Sequence, residues 1–105
     1  ECAEAPLDAE GSGAGRGFAA SAGVRNAVAG RLQGRTEIQP ELISGIDRDA
    51  VRQLKQYAAG KGSGTFLECM SCEGGCINGP CAVADPRLAR RRVETLAKGA
   101  PAGKA

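Results

Sequence analysis

Four cysteines crowd between Cys69 and Cys81 with the spacing C-x2-C-x3-C-x4-C, and Gly74-Gly75 separates the middle pair. Thiolates gathered in so short a segment are soft ligands, suited to an iron–sulfur cluster, zinc or copper(I). The paired glycines let the backbone fold tightly around something bulky, and they free amide N–H groups to point at cluster sulfurs. The chain has no histidine, so an all-thiolate site is the strongest option, and Ser-His-Asp or Cys-His catalysis is excluded. A disulfide framework spreads its cysteines along a chain. Clustering, with an odd total of five, favours metal chemistry in a reducing compartment, and the expected location is the cytoplasm.

Other uses of the loop fit less well. A zinc knuckle places four residues before a histidine, whereas three residues and Cys76 stand there. A redox-active C-x-x-C would use Cys69 and Cys72, but no helix follows Cys69 to lower its pKa. The bacterial ferredoxin run C-x2-C-x2-C-x3-C-P is not matched. Cys69 alone suits the part of a small buried hydrophobe at a strand end.

The remaining composition sets the scale of the fold. Of 105 residues, 16 are glycine and 19 alanine, while Val, Ile, Leu, Met, Phe and Tyr together number 20. At roughly 25 cal/mol per Å² of apolar surface, so few large side chains make a thin core. One small domain, or part of a larger one, is the ceiling. A net charge of +2 gives no electrostatic case for nucleic acid, and no apolar run is long enough to span a membrane. The chain starts at Glu1 with no signal peptide, which leads us to expect natural sequence upstream.

Along the chain, the alternating glycines of residues 11–17 match neither G-x-G-x-x-G nor the P-loop and read as a tight turn against a packed neighbour. Residues 18–32 read as a slim helix with Phe18, Val24, Val28 and Leu32 in its apolar stripe. Residues 36–46 read as one or two short, edge-like strands around Pro40. Asp47 caps an expected helix over 48–59, with Ala50, Val51, Leu54, Tyr57 and Ala58 on one face, closed by Gly60 and Gly62. Residues 65–68 read as a strand delivering the cysteine loop. A last helix starts at Asp85 and Pro86 and runs to Lys98 with Leu88, Val93, Leu96 and Ala97 facing inward. Residues 99–105 read as a frayed tail. The alternation predicts an α/β fold: three helices, short strands, and the cysteine loop after the last strand, where such folds place ligands.

The stretch Glu68-x-Met70-Ser71-Cys72-x-Gly74-Gly75-Cys76-Ile77-Asn78-Gly79 resembles the last cysteine motif, E-x-M-[AS]-C-x-G-G-C-[IV]-x-G, of the C-terminal domain of iron-only (FeFe) hydrogenase large subunits. Upstream, Gly15-x-Gly17-Phe18-x-x-Ser21-x-Gly23-Val24 resembles that domain's G-x-x-F-x-x-[ST]-G-G-V segment, with Ala22 in place of the first of the paired glycines. The resemblance extends over residues 5–98 and assigns 1–98 to the C-terminal part of such a domain. It implies an H-cluster, a 4Fe–4S cubane bridged by cysteine to a two-iron unit, which interconverts protons, electrons and hydrogen. By the motif, Cys72 ligates the cubane, Cys76 ligates it and bridges to the two-iron unit, and Met70 packs beside that unit.

The departures bear on activity. The family draws its other cubane ligands and its proton-relaying cysteine from two earlier motifs, T-S-C-C-P and M-P-C-x-x-K, and neither occurs here. The ligand set on this chain is therefore incomplete, no catalytic residue is assigned, and the expected partner is an N-terminal half carrying those motifs. Cys2, Cys69 and Cys81 have no counterpart in the motif; Cys69 and Cys81 read as bystanders, with an extra-ligand role as the alternative, and Pro80-Cys81 replaces the usual glycines. Arg87, Arg90, Arg91, Arg92 and Lys98 make the last helix basic; a solvated face is the ordinary explanation, and docking of a ferredoxin-like electron-transfer partner is the functional one. The competing function is a small all-cysteine metal-binding module, zinc or 4Fe–4S, that interacts without catalysis.

Overall fold

The computed structural model of the protein describes residue 3, residues 11–35 and residues 37–100. Cys2 and residues 101–105 of the expected tail lie outside the described residues. The fold is α/β, with four α-helices and a two-stranded parallel sheet.

The amino-terminal half departs most from expectation. Residues 13–16 form a short helix, α1 (Gly13–Arg16), capped by Ser12 Oγ accepting from Gly15 N at 3.1 Å. A 3₁₀ turn follows (Gly17–Ala19), and the main helix α2 begins only at Gly23 and ends at Leu32. The single helix expected over 18–32 is thus broken at 20–22. Its cause is tertiary: Ser21 N donates to Gly74 O at 2.9 Å and its hydroxyl bonds Ser44 Oγ, and the chain turns so closely there that a Cβ on Gly23 would stand 2.0 Å from Gly17 O. Ala22 takes the left-handed conformation at the break, φ 73°, an arrangement that costs a residue with a Cβ about 1–2 kcal/mol. The glycine run does press on a neighbour, because a Cβ on Gly13 would lie 2.8 Å from Ala97 O in the last helix.

Strand β1 (Gln39–Ser44) and strand β2 (Thr65–Met70) pair in parallel, with Ile43 opposite Cys69 and Ser44 opposite Met70. Parallel neighbours need a long crossover, usually a helix, and α3 (Arg48–Gln56) supplies it. Asp47 caps α3 as expected, accepting from Ala50 N at 2.8 Å. The helix then widens into a π turn (Tyr57–Lys61) broken by Gly60 at φ 109°. On its expected apolar face Ala50 is buried and Leu54 and Tyr57 are half-buried, whereas Val51 and Ala58 are exposed.

Helix α4 (Pro86–Lys98) has the expected start: Asp85 Oδ1 accepts from Arg87 N at 3.0 Å and from Leu88 N at 3.2 Å. Its inner face is only partly covered. Val93 and Ala97 are half-buried, but Leu88 and Leu96, expected inside, are exposed. The elements against α4 are α1 and two 3₁₀ turns, too short to cover a thirteen-residue helix. Phe18 of the expected stripe is likewise exposed.

Among the described residues the buried apolar set is Ala20, Ala22, Ile43 and Ala50. Two polar residues join it, Ser21 and Glu68. Glu68 serves as a cap from a distance. Ala22 offers α2 no side-chain cap, and Glu68 Oε2 on β2 accepts from Arg25 N in the first turn at 3.1 Å. A carboxylate there also meets the positive end of the helix dipole. Its Oε1 is buried and has no partner among the described residues.

Candidate metal centre

The parallel sheet carries the chain into the cysteine loop. Pairing continues past the last strand residues, with Gly45 N donating to Met70 O at 2.9 Å and Ile46 N to Ser71 O at 3.1 Å. Cys72 is therefore placed directly by the sheet. The loop then turns at Gly74 (φ 86°) and Gly75 (φ 92°). A 3₁₀ turn, Cys76–Asn78, follows.

Two serines fasten this turn. Ser44 Oγ accepts from Gly74 N at 2.9 Å and shares a 2.8 Å hydrogen bond with Ser21 Oγ. Ser21 N donates in turn to Gly74 O at 2.9 Å. Gly74 is thereby clamped through both its amide and its carbonyl. Gly75 is the point of closest approach: a Cβ there would stand 2.7 Å from Ser21 N and 2.8 Å from Ala19 O. Within the loop, Gly75 N donates to Cys72 O at 3.0 Å and Gly79 N to Cys76 O at 3.1 Å. Asn78 Nδ2 adds a bond to Glu73 O at 3.1 Å.

The glycine amides are thus not free to point at a bound cluster. Gly74 N goes to Ser44 and Gly75 N to Cys72 O. The glycines serve backbone approach, and the two amides are taken up in locking the turn.

Cys69, Cys72, Cys76 and Cys81 are all free thiols. Cys72, Cys76 and Cys81, with Gly79, Pro80 and Ala82, line one open cavity of about 460 Å³. No carboxylate or lysine contributes to its wall. Side chains alternate along a strand, so Cys69 projects from the face of β2 opposite to Glu68 and Met70. It is exposed rather than the buried small hydrophobe expected. Met70, half-buried at the end of β2, precedes the loop and is not among the residues of the cavity wall. Among the described residues no three of His, Cys, Asp or Glu converge on a point that could hold a single metal ion.

Sequence reasoning missed Ser44. Only its place at the end of β1, on the face shared with Leu42, hints that its hydroxyl meets Ser21, just before α2.

A parallel βαβ unit with a loop leaving a strand's carboxyl end belongs to the α/β class, which places its ligands at such loops. The family model for the iron-only hydrogenase large subunit, C-terminal domain, matches residues 1–80. The chain belongs to that family. Neither a curated protein nor a solved structure matches it. The matched segment includes both strands and the loop through Pro80; α4 lies beyond it.

Proposed function

We propose that Cys72 and Cys76 would supply two thiolates to an iron–sulfur centre of the hydrogenase type, a 4Fe–4S cluster with a two-iron unit, and that Met70 would pack near it as the family motif implies. The observation that carries this is the shared cavity: both motif cysteines open onto it, and its other walls are apolar or sulfur. Such a donor set suits soft metals and thiolate-bound clusters, so the residues present fit the group. When bound, the centre supplies the interconversion of protons, electrons and hydrogen.

The chain's own residues bind and position. The sheet sets the height of Cys72, the Ser21–Ser44–Gly74 clamp fixes the turn between the two cysteines, and the 3₁₀ turn orients Cys76. The family's remaining ligands come from two earlier cysteine motifs, which a separate N-terminal half would bring. The 105 residues by themselves would therefore turn over no hydrogen. On α4, Arg87, Arg91, Arg92 and Lys98 are exposed, while Arg90 pairs with Glu94 at 3.2 Å. That face would dock an acidic, ferredoxin-like partner, and its association would weaken as salt rises. The free thiols suit a reducing compartment, and the cytoplasm is the proposed location.

The test is anaerobic reconstitution of the full chain with ferrous iron and sulfide, followed by metal and sulfide analysis and EPR of the dithionite-reduced protein. Bound iron with sulfide, lost in Cys72→Ser and Cys76→Ser, is the expected result. Stoichiometric, tightly held zinc with no cluster signal would instead establish the non-catalytic metal-binding module.

A further inference from the structure

Cys81 is the first residue beyond the family match, and the family motif has no cysteine at its position. Even so, it opens onto the same cavity as Cys72 and Cys76. We propose that Cys81 is a third thiolate ligand to the cluster, standing in for one of the two ligands that the earlier motifs supply in the family, so that residues 72–81 bring three of the four thiolates. This rests on the assignment of Cys72 and Cys76 as cluster ligands and adds to it a ligand that the family motif does not supply.

Three observations converge on it. First, cysteines make up half of the cavity's six lining residues, and the other three, Gly79, Pro80 and Ala82, offer no competing donor side chain. Second, the four loop thiols divide by position: Cys69, on β2, is off the cavity wall, while Cys81 lies on it. Third, the segment between Cys76 and Cys81 is fixed at its middle. Gly79 N donates to Cys76 O at 3.1 Å and Ala82 N to Gly79 O at 2.9 Å, so the chain curls back and returns Cys81 to the cavity.

The lack of a three-donor focus for a single ion is compatible with this chemistry. A cluster takes one thiolate per iron, so its ligands surround a volume instead of meeting at a point. Each thiol gives its proton to solvent as its sulfur–iron bond forms. Three thiolates leave one iron of a cubane without a protein ligand, and that iron would accept an added small thiol.

The experiment loads the full chain anaerobically with ferrous iron and sulfide and compares it with Cys81→Ser, Cys72→Ser and Cys69→Ser. Retention of iron against a chelator should fall at least about tenfold in Cys81→Ser, since even partners outside the ligand shell cost that much. It should fall similarly in Cys72→Ser and stay unchanged in Cys69→Ser. Alkylation of the loaded wild-type chain with iodoacetamide, read by mass spectrometry, needs no variant. Cys72, Cys76 and Cys81 should be protected while Cys69 is modified. If Cys81 is alkylated as fast as Cys69, and Cys81→Ser keeps its iron while Cys72→Ser loses it, Cys81 is no ligand and only the motif pair remains. If the wild-type chain takes up zinc and no cluster, the assignment of Cys72 and Cys76 falls, and this proposal falls with it.

Discussion

Replacing Gly75 by alanine tests whether the cysteine turn is held as described, and Gly74→Ala is its internal control. Both glycines have positive φ, so either substitution incurs backbone strain. For Gly74 that strain, about 1–2 kcal/mol, is the whole cost, because the new Cβ would find only Asn78 Cβ, at a comfortable 3.8 Å. Gly75 combines φ 92° with ψ −161°, a region that is essentially glycine-only and costs about 1–3 kcal/mol for other residues. Its Cβ would also fall within 2.7–2.9 Å of three backbone atoms of residues 19–21. The turn must then back away, breaking the 2.9 Å bond from Ser21 N to Gly74 O, for about 1–3 kcal/mol more. Gly75→Ala should therefore be the worse of the two by about 2 kcal/mol, a difference of roughly 8–16 °C in melting temperature for a domain of this size. Thermal unfolding followed by far-ultraviolet circular dichroism reads it directly. Equal melting temperatures for the two variants would refute the close approach of the loop to residues 19–21.

Ser44→Ala removes the acceptor for Gly74 N and the partner of the Ser21 hydroxyl and should destabilise by about 0.5–1.5 kcal/mol in urea unfolding; an unchanged midpoint would contradict the clamp. Ala22→Gly should stabilise by roughly 0.5–1 kcal/mol, because glycine takes the left-handed conformation at φ 73° without the Cβ penalty; a lower melting temperature would contradict this. Asp85→Ala removes the acceptor of two backbone N–H bonds at the start of α4 and should cost about 1 kcal/mol, with lower helicity in circular dichroism.

What was legible in the sequence was local. Asp47 and the Asp85-Pro86 pair announce helix starts because a cap is made within three residues of itself, and both caps are present. Strand β2 and the loop after it were legible because apolar residues run directly into cysteines and glycines. Ala22 carried a clue of a different kind. It stands where the family has glycine, and its positive φ supplies the physical reason for that glycine. The break at 20–22 was not legible, because its alanines favour helix and an apolar stripe runs through it. What interrupts the helix is tertiary: Ser21 is held by Gly74 O and Ser44 Oγ, far away in sequence. The clamp was hidden for the same reason: Ser21 and Ser44 are 23 residues apart, and nothing near either one in sequence tells it of the other. Leu88 and Leu96 misled because helical periodicity shows which face is apolar and is silent on whether anything covers it.

The most direct test of the central claim, that the loop builds a thiolate-bound iron–sulfur centre, is iron-edge X-ray absorption on the anaerobically reconstituted chain. The account predicts iron in a sulfur environment with a second shell of iron scatterers, and loss of that shell in the Cys72→Ser, Cys76→Ser double variant. Iron bound only through oxygen, or a four-sulfur shell around zinc with no iron retained, would contradict it.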